Sequence, residues 1–235
     1  MEIKITVPTS LSEIPLKDYQ QFMKVAKDKD QDDLFIRQKM VQIFCHIPLL
    51  AVTKMKRKDF NSVVATLIEV LDEKPKHKDV FKMGGVEYGM IPSLDEDMTM
   101  GEFVDLDSYM KDWQEFHKAM AVLYRPIKAR KGERYRIEKY EGNEDHIEEM
   151  VNAPMDVTMG AIIFFWNLST QLLTVTPKYL QRRLMENPKA AEVLEKNGVG
   201  ISTFTDSLAE VCLRLEMLLP YTWERPYSIS PMRKS

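Results

Sequence analysis

Residues 157 to 177 contain no charged side chain. A run of that length has few outcomes. It spans a bilayer, or it is a helix whose whole circumference is covered by protein. Thr158, Asn167, Ser169, Thr170, Gln171 and Thr174 interrupt the apolar residues, which argues against lipid. Asn167, Thr170, Gln171 and Thr174 fall on one helical stripe. A solvated helix face normally carries charge there, so the stripe is expected to be covered by the same chain or by a neighbour. These four residues are candidate interface positions, and no membrane span is expected.

Prolines and glycines divide the rest of the chain. Ile3, Ile5 and Val7 alternate with polar residues and read as a short strand within 2–7, stopped by Pro8. Helical spacing follows over about 15–28, with Leu16, Tyr19, Phe22 and Met23. A second helix carries Leu34, Ile36, Met40, Val41, Phe44 and Cys45 and must end near His46, ahead of Pro48. A third runs from about Asp59 through Leu71. Val80 to Tyr88 reads as a hairpin, because Gly84-Gly85 supplies positive φ at both turn positions. Thr99-Met-Gly-Glu102 fits a capping box. Phe103, Leu106, Trp113, Phe116, Met120 and Tyr124 then mark one long helix, bent near Asp105 to Asp107 and ended by Pro126, with its aromatic residues in the core. Lys128 to Arg134 reads as a basic loop, and 134–140 as a strand able to pair with the hairpin. Pro154 opens the uncharged helix, which Pro177 interrupts or restarts. Ala190 to Leu194 read as a further turn or two. Ser207-Leu-Ala-Glu210 fits a second capping box, before an apolar stripe ended by Pro220.

The fold expected is mainly α with a small β element, its strands near 2–7, 80–90 and 134–140. The domain expected is one helix-rich unit over 1–220, with 141–154 as an alternative sub-boundary. Residues 221–235 are expected to form an extended C-terminal arm. Trp223, Tyr227 and Ile229 on that arm are costly to leave in water, so they too are interface candidates. A chain of 235 residues with 44% hydrophobic composition can bury a core for such a domain.

No chemistry-bearing motif stands out. The net charge of −3 gives no bulk reason to bind nucleic acid, and the runs Lys54 to Lys58 and Lys128 to Arg136 read as solvated faces. Cys45 and Cys212 lie in apolar helical patterns and read as free buried thiols. His46, His77, His117 and His146 have no metal-ligand spacing to one another or to a cysteine. Asp95, Glu96, Asp97, Glu102, Asp105 and Asp107 crowd one segment. A calcium loop fails there, because Met100 stands where the glycine belongs and Leu106 where the last carboxylate belongs. Carboxylates at a helix start are what the helix dipole favours. No cofactor and no metal site are expected. The N-terminus lacks the apolar stretch of a signal peptide.

Several blocks carry a resemblance: Tyr88-Gly-Met-Ile-Pro-Ser-Leu-Asp, Met98-Thr-Met-Gly-Glu-Phe-Val-Asp-Leu-Asp, Ala121-Val-Leu-Tyr-Arg-Pro-Ile and Tyr135-Arg-Ile-Glu-Lys-Tyr-Glu-Gly. The opening Val7 to Phe22 and the block Gly160-Ala-Ile-Ile-Phe-Phe-Trp-Asn-Leu join them. Together they resemble a family of tailed-phage proteins, associated with crAss-like and other short-tailed phages of gut bacteria. The resemblance covers about the first three quarters of the chain. It implies a non-enzymatic virion or assembly protein, made in the host cytoplasm and located in the virion. Its partners would be the portal, a tail ring or copies of itself in an oligomeric assembly, or it would be packaged as internal cargo. No specific nucleic acid is implied. A tail assembly chaperone that leaves before maturation is one alternative. A Mg-dependent enzyme using the carboxylates of 95–107 is another.

Overall fold

The computed structural model describes residues 5–28, 32–94, 96–142, 145–186, 206 and 208–219. The helices are α1 Leu16–Ala26, α2 Asp33–Phe44, α3 Leu49–Thr53, α4 Arg57–Leu71, α5 Met100–Tyr109, α6 Phe116–Leu123, α7 Asp145–Met150 and α8 Met155–Glu186. Residues 208–218 form a further helix, α9. The strands β1 Val80–Met83, β2 Val86–Met90, β3 Tyr124–Lys131 and β4 Arg134–Ile137 make one antiparallel sheet in the order β1-β2-β3-β4. The protein is therefore mainly α with a small β element. Ile5, Thr6 and Val7 join no strand, which corrects the expectation for the part of 2–7 that is described. Alternation alone does not hold a strand that finds no neighbour to pair with.

The hairpins follow turn chemistry. Gly84 and Gly85 both take positive φ (58° and 81°), as a two-residue I′ turn requires. Met83 faces Val86 across them. In the second hairpin Lys131 faces Arg134, and of the two loop residues only Gly132 has positive φ, at 64°. That is the II′ pattern. The stretch expected as a basic loop is thus two strands and their turn. Its alternation was hidden because both faces carry charge.

The long helix expected after Thr99 is also corrected. α5 stops at Tyr109, Trp113–Glu115 make a 3-10 turn, and α6 ends at Leu123. Two interactions break it. Gln20 of α1 donates to the carbonyls of Trp113 (2.6 Å) and Gln114 (3.3 Å) and lies 3.1 Å from His117 Nδ1. It thereby takes up carbonyls that a continuous helix would have used internally. Trp113 itself is fully buried, with Tyr19 and Phe116 at centroid distances of 4.7 and 5.3 Å. At the far end, sheet pairing draws out Tyr124, Arg125 and Pro126 opposite Met90, Gly89 and Tyr88.

α2 ends at Phe44 through a Schellman motif. Ile47 N–H donates to Gln42 and His46 N–H to Ile43, with His46 held at φ 52°. α8 runs through Pro177 as one helix of 32 residues. By length and composition, its Met155–Val175 portion could cross a membrane. Its first turns, however, are sealed in the core: Met155, Val157, Thr158, Met159, Ala161 and Ile162 are all buried. Three backbone bonds tie this start to the N-terminal segment: Leu16 N–H to Ala153, Lys17 N–H to Val151 and Met155 N–H to Ile14. Gly160 faces the chain at Lys76, where a Cβ would stand 2.8 Å from the Lys76 carbonyl oxygen. Only glycine allows that crossing. Ser207 and Ala190 to Leu194 lie outside the described residues, as do Trp223, Tyr227 and Ile229.

Candidate functional site

The most apolar concavity among the described residues is a cleft of about 250 Å³ between α5, α8 and α9. Leu94 and Met98 approach it from the loop before α5, Phe103, Leu106 and Met110 from α5 and its end, Phe165 from α8, and Val211 and Leu215 from α9. The helices that form it also expose apolar side chains, of which Phe103 lines the cleft. Met100 is 77% exposed, Phe103 57%, Val104 56% and Met217 69%. Isolated exposed apolar residues are ordinary, but a cluster beside an apolar cleft marks a contact surface.

The orientation of α5 explains why Phe103 is outside, against its expected place in the core. The capping box is present: Glu102 N–H donates to Thr99 Oγ1 (3.2 Å), and Thr99 N–H donates to Glu102 Oε2 (2.5 Å). Glu102 is also buried, paired with Arg125 Nη1 at 2.5 Å, with side chains only 2% and 7% exposed. A buried carboxylate needs a partner of this kind. The pairing turns Glu102 and Leu106 inward and leaves Phe103 about 100° further round the helix. Trp113, Phe116, Met120 and Tyr124 are buried as expected.

Asp105 and Asp107 point at separate partners, and Asp95 lies outside the described residues. Asp105 accepts from Tyr140 Oη at 2.6 Å, and Asp107 pairs with Arg214 Nη1 at 3.1 Å and Lys111 at 3.4 Å. Arg214 also pairs with Glu210, so α9 is clamped to α5 at the edge of the cleft. Among the described residues no three His, Cys, Asp or Glu side chains converge as a metal site would need. Glu102, Asp105 and Asp107 work as ties between elements.

The thiols are not activated. Burial pushes Cys45 up to about 11, so its thiol stays protonated at neutral pH. Burial also raises Cys212, which Thr170 and Ser169 contact through their side chains where α9 lies on α8. Cys45 is buried while the His46 side chain is mostly exposed, so the two point apart. His77 stacks on Phe164 at 4.5 Å and holds Asp79 at 3.1 Å. His117 is held below its usual value by burial. His146 contacts Glu138 at 2.8 Å, and Glu138 is held below its usual value by hydrogen bonds from Lys128 and then His146.

On α8, Asn167, Gln171 and Thr174 are exposed and Thr170 is half-buried. The two hydroxyls turn back on their own helix: Thr170 donates to the Trp166 carbonyl (2.8 Å) and Thr174 to the Thr170 carbonyl (2.9 Å). Leu172 and Val175 beside them are exposed too. Of this stripe, Thr170 meets Cys212 of α9. The cleft itself was not anticipated from the sequence. Its only signal was the number of methionines around it, at 98, 100, 110 and 217, which also suit an ordinary core. Comparison with protein-family models, curated proteins and solved structures gives no match to this chain.

Proposed function

We propose that this chain is a non-enzymatic protein of a tailed-phage virion, working through protein–protein contacts at the portal or tail or as packaged cargo. The cleft between α5, α8 and α9 is its main contact surface. The observation that carries the contact role is the apolar cleft, lined in part by the exposed Phe103, together with the exposed Met100, Val104 and Met217 on the helices that form it. Such a surface loses hydration cost when a partner covers it. The uncharged face of Asn167, Gln171 and Thr174 supports the same role: its threonine hydroxyls are already bonded, so covering Thr174 strands no donor. The phage setting rests on the sequence resemblance alone.

Mass spectrometry of purified virions tests the reading. Finding the protein in stoichiometric amount supports it, and absence from mature particles overturns it. Absence would favour the second reading, a tail assembly chaperone. Met98 and Met110 in the cleft lining favour that alternative, because unbranched thioethers adapt to varied client segments. A Mg-dependent enzyme predicts a rise in melting temperature with millimolar Mg²⁺, since a ligand that binds only the folded state stabilises it.

A further inference from the structure

The β3–β4 ribbon distributes its charge unevenly. Lys128 pairs with Glu138 at 2.7 Å and Arg130 with Glu87 at 2.9 Å. Lys131, Arg134 and Arg136 are exposed, and among the described residues no carboxylate pairs with them. These three share one face. Lys131 stands directly opposite Arg134, and Arg136 lies two residues further along β4 opposite Ala129. Like charges directly opposed on a ladder destabilise it. Ala129 offers neither a screening group nor a partner. β4 is an edge strand, and one exposed cation would suffice to deter edge-to-edge pairing. Three on one face, two of them in direct opposition, call for an anionic occupant.

The occupant can be narrowed from the same residues. Guanidinium forks match phosphate oxygens, and two of the three groups are arginines. Glu133 sits at the tip of the hairpin, where a flat anionic surface would meet it first, whereas a linear polyanion lying along the ribbon avoids it. The only aromatic residue of the ribbon between Ile127 and Ile137 is Tyr135. It belongs to the opposite face, its hydroxyl donating to the Met90 carbonyl at 2.9 Å. The cationic face therefore has no ring on which an unpaired base could stack.

We propose that Lys131, Arg134 and Arg136 form a site for the phosphate backbone of double-stranded nucleic acid, indifferent to base sequence. This does not depend on the cleft or on its partner. Three phosphate contacts predict a slope of log K against log salt of about −2.7, or roughly a fortyfold loss of affinity between ~50 and ~200 mM salt.

The test is fluorescence anisotropy of a labelled mixed-sequence DNA duplex of ~20 base pairs titrated with the full chain across that salt range. Changing Arg134→Gln and Arg136→Gln together should reduce the slope to about −0.9. Lys56→Gln with Lys58→Gln, in the basic stretch before and within α4, should leave it unchanged. Both variants alter exposed side chains, and matching thermal melts show that they fold. The wild-type slope is an independent check that needs no variant. The proposal is overturned by a wild-type slope near zero or by a slope the ribbon substitutions do not move. Equal competition by polyglutamate at matched charge, tighter binding of the single strand, or binding of anionic vesicles without duplex would also overturn it.

Discussion

Glu102 and Phe103 are neighbours on α5 with opposite environments. The charged residue is inside, held by Arg125 and Thr99, and the aromatic one is outside, on the rim of the cleft. The regions around them differ in the same way. Around Arg125, β2, β3, α5 and the chain after β4 are tied by bonds that leave little room for rearrangement: Tyr140 to Asp105, Tyr135 to Met90, and the Arg125 guanidinium 5.7 Å from the Tyr140 ring. Around Phe103, α5, α8 and α9 meet through apolar side chains with one Arg214 clamp, and the rim stays exposed. Directional polar ties fix a unique arrangement, while apolar contact of adaptable residues leaves a surface free for something else.

Four substitutions or titrations can break or sharpen that contrast. The largest effect should come from Glu102→Ala, which strands a buried guanidinium and should cost about 3–5 kcal/mol in urea unfolding. A loss below ~1 kcal/mol would mean that the closed region is not held by this pair. Gly160→Ala should cost about 1–3 kcal/mol, because the Lys76 backbone cannot move aside as a flexible side chain would. An unchanged melting temperature would show that the 74–79 segment yields. The third effect is a pH dependence. His117 has its pKa lowered in the folded state by burial, so the unfolded chain binds more protons below about 6.5. Stability should be full above that value and fall as pH drops through it, and His117→Asn should flatten this part of the curve. A profile that rises as pH falls from 7 to 5 would contradict the assignment. The smallest effect on stability is expected at the open region: Phe103→Ser with Val104→Ser should change unfolding by less than ~0.5 kcal/mol per site. The same pair should weaken co-sedimentation with the particle or partner that the cleft serves.

Much of this was legible in local sequence. The Gly84-Gly85 turn and the Thr99 capping box are both present because each needs only adjacent residues. The strand at Arg134–Ile137 and the buried Trp113, Phe116, Met120 and Tyr124 also match the pattern of the chain. What escaped it depends on distant partners. Helical spacing from Phe103 to Tyr124 was real, but Gln20 and the sheet broke the helix into two. Phe103 was assigned inward because an aromatic outranks a glutamate in any hydrophobicity pattern, and Arg125, which reverses the order, lies 23 residues away. The stripe of Asn167, Thr170, Gln171 and Thr174 was recognised as uncharged. The described residues leave most of it uncovered.

The three backbone bonds between residues 14–17 and 151–155 also set an order of events in time. α1 is made early, yet its first turn has no complete set of partners until the chain beyond Met155 exists. During synthesis at about 5–20 residues per second, that leaves roughly 7–30 s in which the segment waits. Closure over such a separation is entropically only a little dearer than over a shorter one, but it is slow to find. The seating of the first turn of α1 therefore waits on residues 151–155, and a chain truncated before residue 151 should leave the Leu16 and Lys17 amides without those acceptors.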